Sequence, residues 1–136
     1  ALGKLGCSPC PDLIVRGAYT FESGIECARV LLSKPDPPTA IFASNDEMAA
    51  GVMVAAHEMG LQVPRDLSVV GYDDSTMMAF TDPPLTTIRQ SVEAMGDAAV
   101  RALLDDIAGE GPPRAEYVFR PELVVRGSTG AAPGRG

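Results

Sequence analysis

No apolar run in these 136 residues approaches the roughly 20 residues a membrane-crossing helix needs. The opening stretch Ala1–Leu5 also lacks the apolar centre of a secretory signal. Positive charge is scarce: 11 Lys and Arg stand against 18 Asp and Glu, giving a net charge of −7. The arginines, among them Arg16, Arg29, Arg65, Arg89 and Arg101, are scattered. A grip on phosphate backbones needs clustered cations, so this chain by itself is not expected to hold nucleic acid. Tryptophan is absent, histidine occurs once (His57) and cysteine three times. Cys7 and Cys10 form a C-x-x-C in "GCSPCPD", but no second pair or neighbouring histidine completes a zinc set. Pro9 and Pro11 mark a loop there, not the helix start that a redox pair uses. Cys27 falls in a helical stretch and reads as a small core residue. The cysteine usage suits a reducing cytoplasm.

What is present is ordinary for a globular domain: 46% hydrophobic and 21% charged residues, with 14 Gly and 12 Pro making turns frequent. The length allows one domain with a real core. The apolar pattern changes period repeatedly. "LIV" (Leu13–Val15) reads as a short strand. From Thr20, a capping residue with Glu22 in the following turn, Phe21, Ile25, Ala28 and Leu32 recur at helical spacing. "KPDPP" (Lys34–Pro38) stops that helix. "TAIFA" (Thr39–Ala43) reads as a strand, and a helix is expected from Glu47 with Met48, Val52, Ala55, Ala56 and Met59 on one side. Gly60 is placed to end it in the left-handed conformation. "LSVVGY" (Leu67–Tyr72) reads as a strand buried on both faces. After an irregular stretch, Ser91 can cap a helix through Val92, Met95, Ala99, Leu103 and Ile107 that stops at Gly109. "GEGPP" is a turn, "EYVFR" and "ELVVR" are extended segments split by Pro121, and "GSTGAAPGRG" is a small polar tail expected to be disordered. Strands alternating with helices predict an α/β fold with a mainly parallel sheet. "ALGKLG" reads as the last turn of a helix, and the Val92–Ile107 helix stands apart from the earlier units, as in a piece of something larger.

Ligands of open parallel sheets bind beyond the carboxyl ends of the strands. Those ends carry "RGAYT" with Tyr19, "SND" with Asn45 and Asp46, and "DDS" with Asp73 and Asp74. A phenol ring, an amide and a carboxylate on one edge suit a sugar or another polyol: the polar groups meet hydroxyls and the ring covers an apolar sugar face. Each residue also has a structural role open to it. Asp46 is expected to cap the following helix, Asn45, Asp73 and Asp74 can be turn residues, and Tyr19 can be a half-buried loop aromatic. Catalysis is not expected. Asp73 and Asp74 are sequence neighbours that would point apart, whereas glycosidase carboxylates flank a bond. His57 lies away from the strand ends, and no G-x-S-x-G or phosphate-cradling loop occurs.

The stretch "PPTAIFASNDEMAAGVMVAAHEMGLQVPRDLSVVGYDDSTMMAFTDPPLTTIRQ", with "GAYTFESG" upstream and "LVVRGST" near the end, resembles the LacI/GalR family of bacterial transcriptional regulators over about Ala1–Thr129. The resemblance implies a three-layer α/β subdomain like that of a type I periplasmic binding protein. Residues 1–88 would be the C-terminal subdomain of the effector-binding core. Residues 89–120 would be a returning helix and strand of the other subdomain, 121–129 a crossover back, and 130–136 a tail. "PPLTTI" (Pro83–Ile88) would be a crossover strand. Effector contact is carried onto Tyr19, Asn45 and Asp73, although Ala18 replaces the acidic residue usual before the aromatic. A homodimer is implied through faces near Ala50, Met53 and Val54 and near Met77, Met78 and Phe80, where an apolar cluster fits a partner surface as well as it fits the chain's own sheet. The expected partners are a sugar-like effector and a second copy, in the cytoplasm, with DNA read only by a helix-turn-helix outside this chain. No cofactor, metal or membrane is implied. The competing expectation is a sugar-binding protein of a transport system with the same fold.

Overall fold

The computed structural model describes residues 6, 10–109 and 116–132. Helix α1 (Phe21–Leu32) begins where Thr20 and Ser23 cap each other: the Ser23 N–H donates to Thr20 Oγ1 and the Thr20 N–H to Ser23 Oγ, both at 3.2 Å. It ends at Ser33, ahead of the proline-rich turn. Helix α2 (Asp46–Glu58) lies against it at unusually close range. The contact surfaces are Gly24 and Gly51. A methyl on Gly24 would overlap the Met48 backbone, and one on Gly51 would overlap the Phe21 carbonyl oxygen. Gly60, at φ +76°, follows the end of α2 as expected.

Four strands form one sheet in the order β1 (Ala40–Phe42), β2 (Ser68–Asp73), β3 (Thr86–Arg89), β4 (Glu122–Val124). The first three are parallel, with Phe42 opposite Val70 and Asp73 opposite Arg89; β4 runs antiparallel to β3, with Glu122 opposite Arg89. This is the α/β class that alternating strands and helices predict. The core lies between α1, α2 and the sheet. Ile41, Leu67, Val69 and Leu85 meet Leu31, Leu32, Met48, Ala49, Val52 and Ala56 there. Each large aliphatic so buried contributes about 1.5–3 kcal/mol relative to exposure. Cys27 joins this core; burial first, then the charge of Glu26, raises its thiol pKa.

Several expectations are corrected. Leu13–Val15 forms no strand: Pro11–Leu13 is a single 3-10 turn, and the segment lies beside β1 across an apolar hollow of about 610 Å³. A strand needs a paired ladder, and this segment makes none. Of the two extended segments, Glu122–Val124 pairs with β3, and residues 116–120 pair with no strand among the described residues. β2 is not buried on both faces: Val69 and Gly71 point into the core, but Ser68, Val70 and Tyr72 are half-exposed. Met59 is 41% exposed because it is the cap of α2, not part of its inner stripe. The start of the polar tail is not loose. Ser128 is fully buried: its hydroxyl donates to the Val69 carbonyl at 2.6 Å and accepts from the Thr86 N–H at 2.8 Å. The expectations for "ALGKLG" up to residue 5, for the Cys7 half of the C-x-x-C, for most of "GEGPP" and for the end of the tail lie outside the described residues.

Helix α3 (Val92–Ala108) is capped at its C-terminus by Gly109 at φ +74°. Ser91 precedes it, but its side chain makes no capping bond. No residue of α3 is buried, and Leu103, Leu104 and Ile107 are 59%, 59% and 74% exposed.

Candidate functional site

The carboxyl ends of the parallel strands form one rim. β1 leads to Asn45, β2 ends at Asp73, and β3 leads to Gln90. Asn45, not Asp46, caps α2: its Oδ1 accepts the Met48 N–H at 2.9 Å. Its Nδ2 donates to the Tyr19 carbonyl at 3.0 Å. An amide has two N–H donors and two acceptor lone pairs, so these two bonds leave Asn45 with one of each. The Tyr19 ring is exposed, on a backbone at φ +62°. Asp73 is also exposed, and its Oδ1 accepts from Gln90 Nε2 at 2.8 Å, leaving Oδ2 uncommitted in that bond. The structure thus joins Tyr19 to Asn45 directly, and sets Asp73 on the same strand-end edge beside Gln90.

Asn45 and Asp73 are each followed by an acid that faces inward. Asp46 is 2% exposed, and its carboxylate accepts from Thr87 Oγ1 at 2.6 Å, from the Ser75 N–H at 2.7 Å and from Ser75 Oγ at 3.1 Å. As the first residue of α2, Asp46 also sits where the helix dipole favours negative charge. Gly71 lies beneath it, and a methyl there would overlap Asp46 Oδ1. Asp74 accepts from Arg89 Nε at 2.6 Å on one oxygen and from Arg126 Nη2 at 2.5 Å on the other. Burial opposes the charge on Asp74, but the hydrogen bonds from Arg126 and Arg89 outweigh it and hold the carboxyl below its ordinary value. Arg126 also donates through Nη1 to the Leu85 carbonyl at 2.8 Å.

Among the described residues, the non-glycine positions with positive φ are Tyr19, Asp73 (φ +113°) and Asp74 (φ +56°). Such conformations cost about 1–3 kcal/mol each and persist where surroundings over-determine them, characteristically at binding sites. Looking just past the segments that end at Val15, Ala43 and Tyr72 finds Tyr19, Asn45 and Asp73 but passes over Gln90. The same rule at the end of β3 reaches Gln90. Of the residues expected at a partner surface, Val54, Met77 and Phe80 are exposed and Ala50 is partly so, while Met53 and Met78 belong to the core.

Residues 1–129 match the periplasmic binding protein-like domain. The chain belongs to that family, within its LacI/GalR branch. The transcriptional regulator MalR of Streptomyces coelicolor is 53% identical over 123 residues, which cover 90% of this chain and 35% of MalR. The transcriptional regulator CelR in its cellobiose complex superposes with a TM-score of 0.88 at 37% identity, covering 93% of this chain and 39% of CelR. The lac repressor dimer bound to operator and the anti-inducer ONPF gives a TM-score of 0.79 at 37% identity, covering 85% and 40%. The chain therefore spans 35% of the length of MalR, about a third of a LacI/GalR regulator of that size.

Proposed function

We propose that this chain is the effector-binding and dimerising part of a LacI/GalR-type transcriptional regulator, and that its effector is a sugar-like hydroxylated molecule. The observation that carries this reading is that Tyr19 and Asp73, two of the three groups suited to a polyol, sit on one strand-end rim in costly positive-φ conformations. Asn45 would offer its remaining donor and acceptor, Asp73 would accept from hydroxyls, and the Tyr19 ring would cover an apolar sugar face. Gln90 adds a neighbouring amide. The similarity to CelR in its cellobiose complex supports the class of ligand.

Residues 89–120 would pack with the other subdomain, a reading supported by the uncovered apolar residues of α3. Val54, Met77 and Phe80 would meet a second copy, with Ala50 at the edge and Met53 and Met78 supporting them from below. DNA would be read by a helix-turn-helix elsewhere in the protein. Effector held between the subdomains would favour one closure angle, and coupling follows if that angle changes affinity for DNA. MalR, CelR and the lac repressor are regulators, which favours this reading over transport.

Calorimetry on the full-length regulator with glucose, galactose, ribose, maltose and cellobiose tests it. Asn45→Ala removes both the cap and the contact, while Asn45→Ser keeps a capping oxygen. Loss of sugar binding in both variants and in Asp73→Ala supports the reading. Unchanged binding in Asp73→Ala and Asn45→Ser sinks it.

A further inference from the structure

The rim residue Asp73 holds a backbone conformation that an L-residue does not adopt unaided, and nothing in its own side chain explains why it stays there. Its hydrogen bond to Gln90 is to an exposed group on a neighbouring strand end. The restraint comes from the next two residues. The Asp74 carboxylate is held at both oxygens, by Arg89 on β3 and by Arg126 just beyond β4. The Asp74 N–H faces Thr87 Oγ1 at 3.4 Å, and the Ser75 N–H is fixed by the buried Asp46 carboxylate at 2.7 Å. On the other side, Asp73 is still in register with Arg89 of β3. The corner is therefore pinned at each end, and the positive φ at Asp73 and Asp74 is the path left between the pins.

We propose that Asp74 is a positioning residue for the effector site: clasped by Arg89 and Arg126, it holds Asp73 in the conformation that presents its carboxylate on the rim. The proposal rests on the reading of Asp73 as an effector contact. Without the clasp, the corner relaxes towards negative φ, and the Asp73 carboxylate turns from the rim. The same clasp joins β2 to both strands that flank α3, because Arg89 precedes that helix and Arg126 follows the return strand. The local charge also fits a single role for each acid. Two guanidinium groups attend Asp74, whereas Asp73 is met by a neutral amide and keeps an acceptor oxygen for hydroxyl donors.

The test uses the full-length regulator and the tightest-binding sugar among glucose, galactose, ribose, maltose and cellobiose. Affinity is measured by calorimetry at a temperature where circular dichroism shows each variant fully folded. A merely structural Asp74 would then alter the melting temperature and leave affinity alone. Asp74→Asn and Arg126→Met are each expected to weaken binding about tenfold, the order that one strained residue is worth. Combining them should cost little more than either alone, because both break one clasp. Should Asp74→Asn fail to fold, Arg126→Lys decides: it keeps the charge but loses the two-pronged fork, and a several-fold loss is expected. Wild-type affinity in folded Asp74→Asn, or in Arg126→Lys where that variant decides, overturns the proposal. If Asp73→Ala itself binds normally, the effector reading falls and takes the clasp's role with it. If Asp73→Ala loses binding while Asp74→Asn keeps it, only the clasp's role is lost.

Discussion

Asp46 Oδ1 and Thr87 Oγ1 lie 2.6 Å apart in a bond between the first residue of α2 and the middle of β3. Both residues are buried, at 2% and 0% exposure, and no cation is paired with Asp46 among the described residues. Its charge is therefore carried by hydroxyl and amide donors and by the helix terminus. Thr87→Val keeps shape and removes the hydroxyl that donates to Asp46 and, at the longer 3.4 Å, faces the Asp74 N–H, leaving a buried carboxylate oxygen short of a partner. The expected cost is about 1–3 kcal/mol of folding free energy. Urea unfolding of the two proteins measures it; a midpoint shift with an unchanged slope is the expected form. A Thr87→Val protein as stable as wild type would mean that this bond contributes nothing to folding.

Acid should weaken the fold through Asp74. Its native pKa lies below its ordinary value, so the unfolded chain binds this proton more readily than the native one. The stabilisation is thus complete above the unfolded value of about 3.9 and fades as pH falls through the lower native value. Asp74 and Arg126 have side chains only 8% and 18% exposed, whereas Arg89 is 49% exposed and its share is screened by solvent. Melting curves across the acid range should show wild type losing stability more steeply below about pH 4 than Asp74→Asn does. Parallel acid limbs for the two proteins would remove Asp74 from the account.

The parts of this fold that local chemistry specifies are legible in the sequence. Thr20 and the Lys34–Pro38 turn bracket α1, Gly60 follows α2, and Leu67–Tyr72 falls within one residue of β2. Each signal lies within a few residues of what it controls. What stays illegible depends on distant partners. Leu13–Val15 is apolar enough for a strand, yet an apolar run becomes a strand only by pairing, and β1 is not paired to it. The clasp joins Asp74 to an arginine 52 positions away, and Gln90 reaches Asp73 across 17. Ser128 reads as tail composition because one buried hydroxyl with two backbone partners leaves no mark on hydropathy. The expected cap at Asp46 is off by one residue for a related reason. Both Asn and Asp favour that position, and what draws Asp46 inward is Thr87, 41 residues on.

The apolar side of α3 gives the last expectation. Val100, Leu103, Leu104 and Ile107 are each more than half exposed, although their spacing is that of a helix face built for burial. If they pack with the other subdomain, replacing them should matter only where that subdomain is present. Leu103→Gln with Ile107→Gln is expected to leave the melting temperature of these 136 residues, expressed alone, unchanged or slightly raised, and to reduce their self-association. In the full-length regulator the same pair should cost on the order of 2–5 kcal/mol in total, because two aliphatic side chains lose burial and two amides gain it. Thermal melts and sedimentation of both lengths compare the two cases. Equal destabilisation in both would show that the helix packs on residues already within this chain, and no destabilisation in either would show that its apolar face stays in water even when the protein is whole.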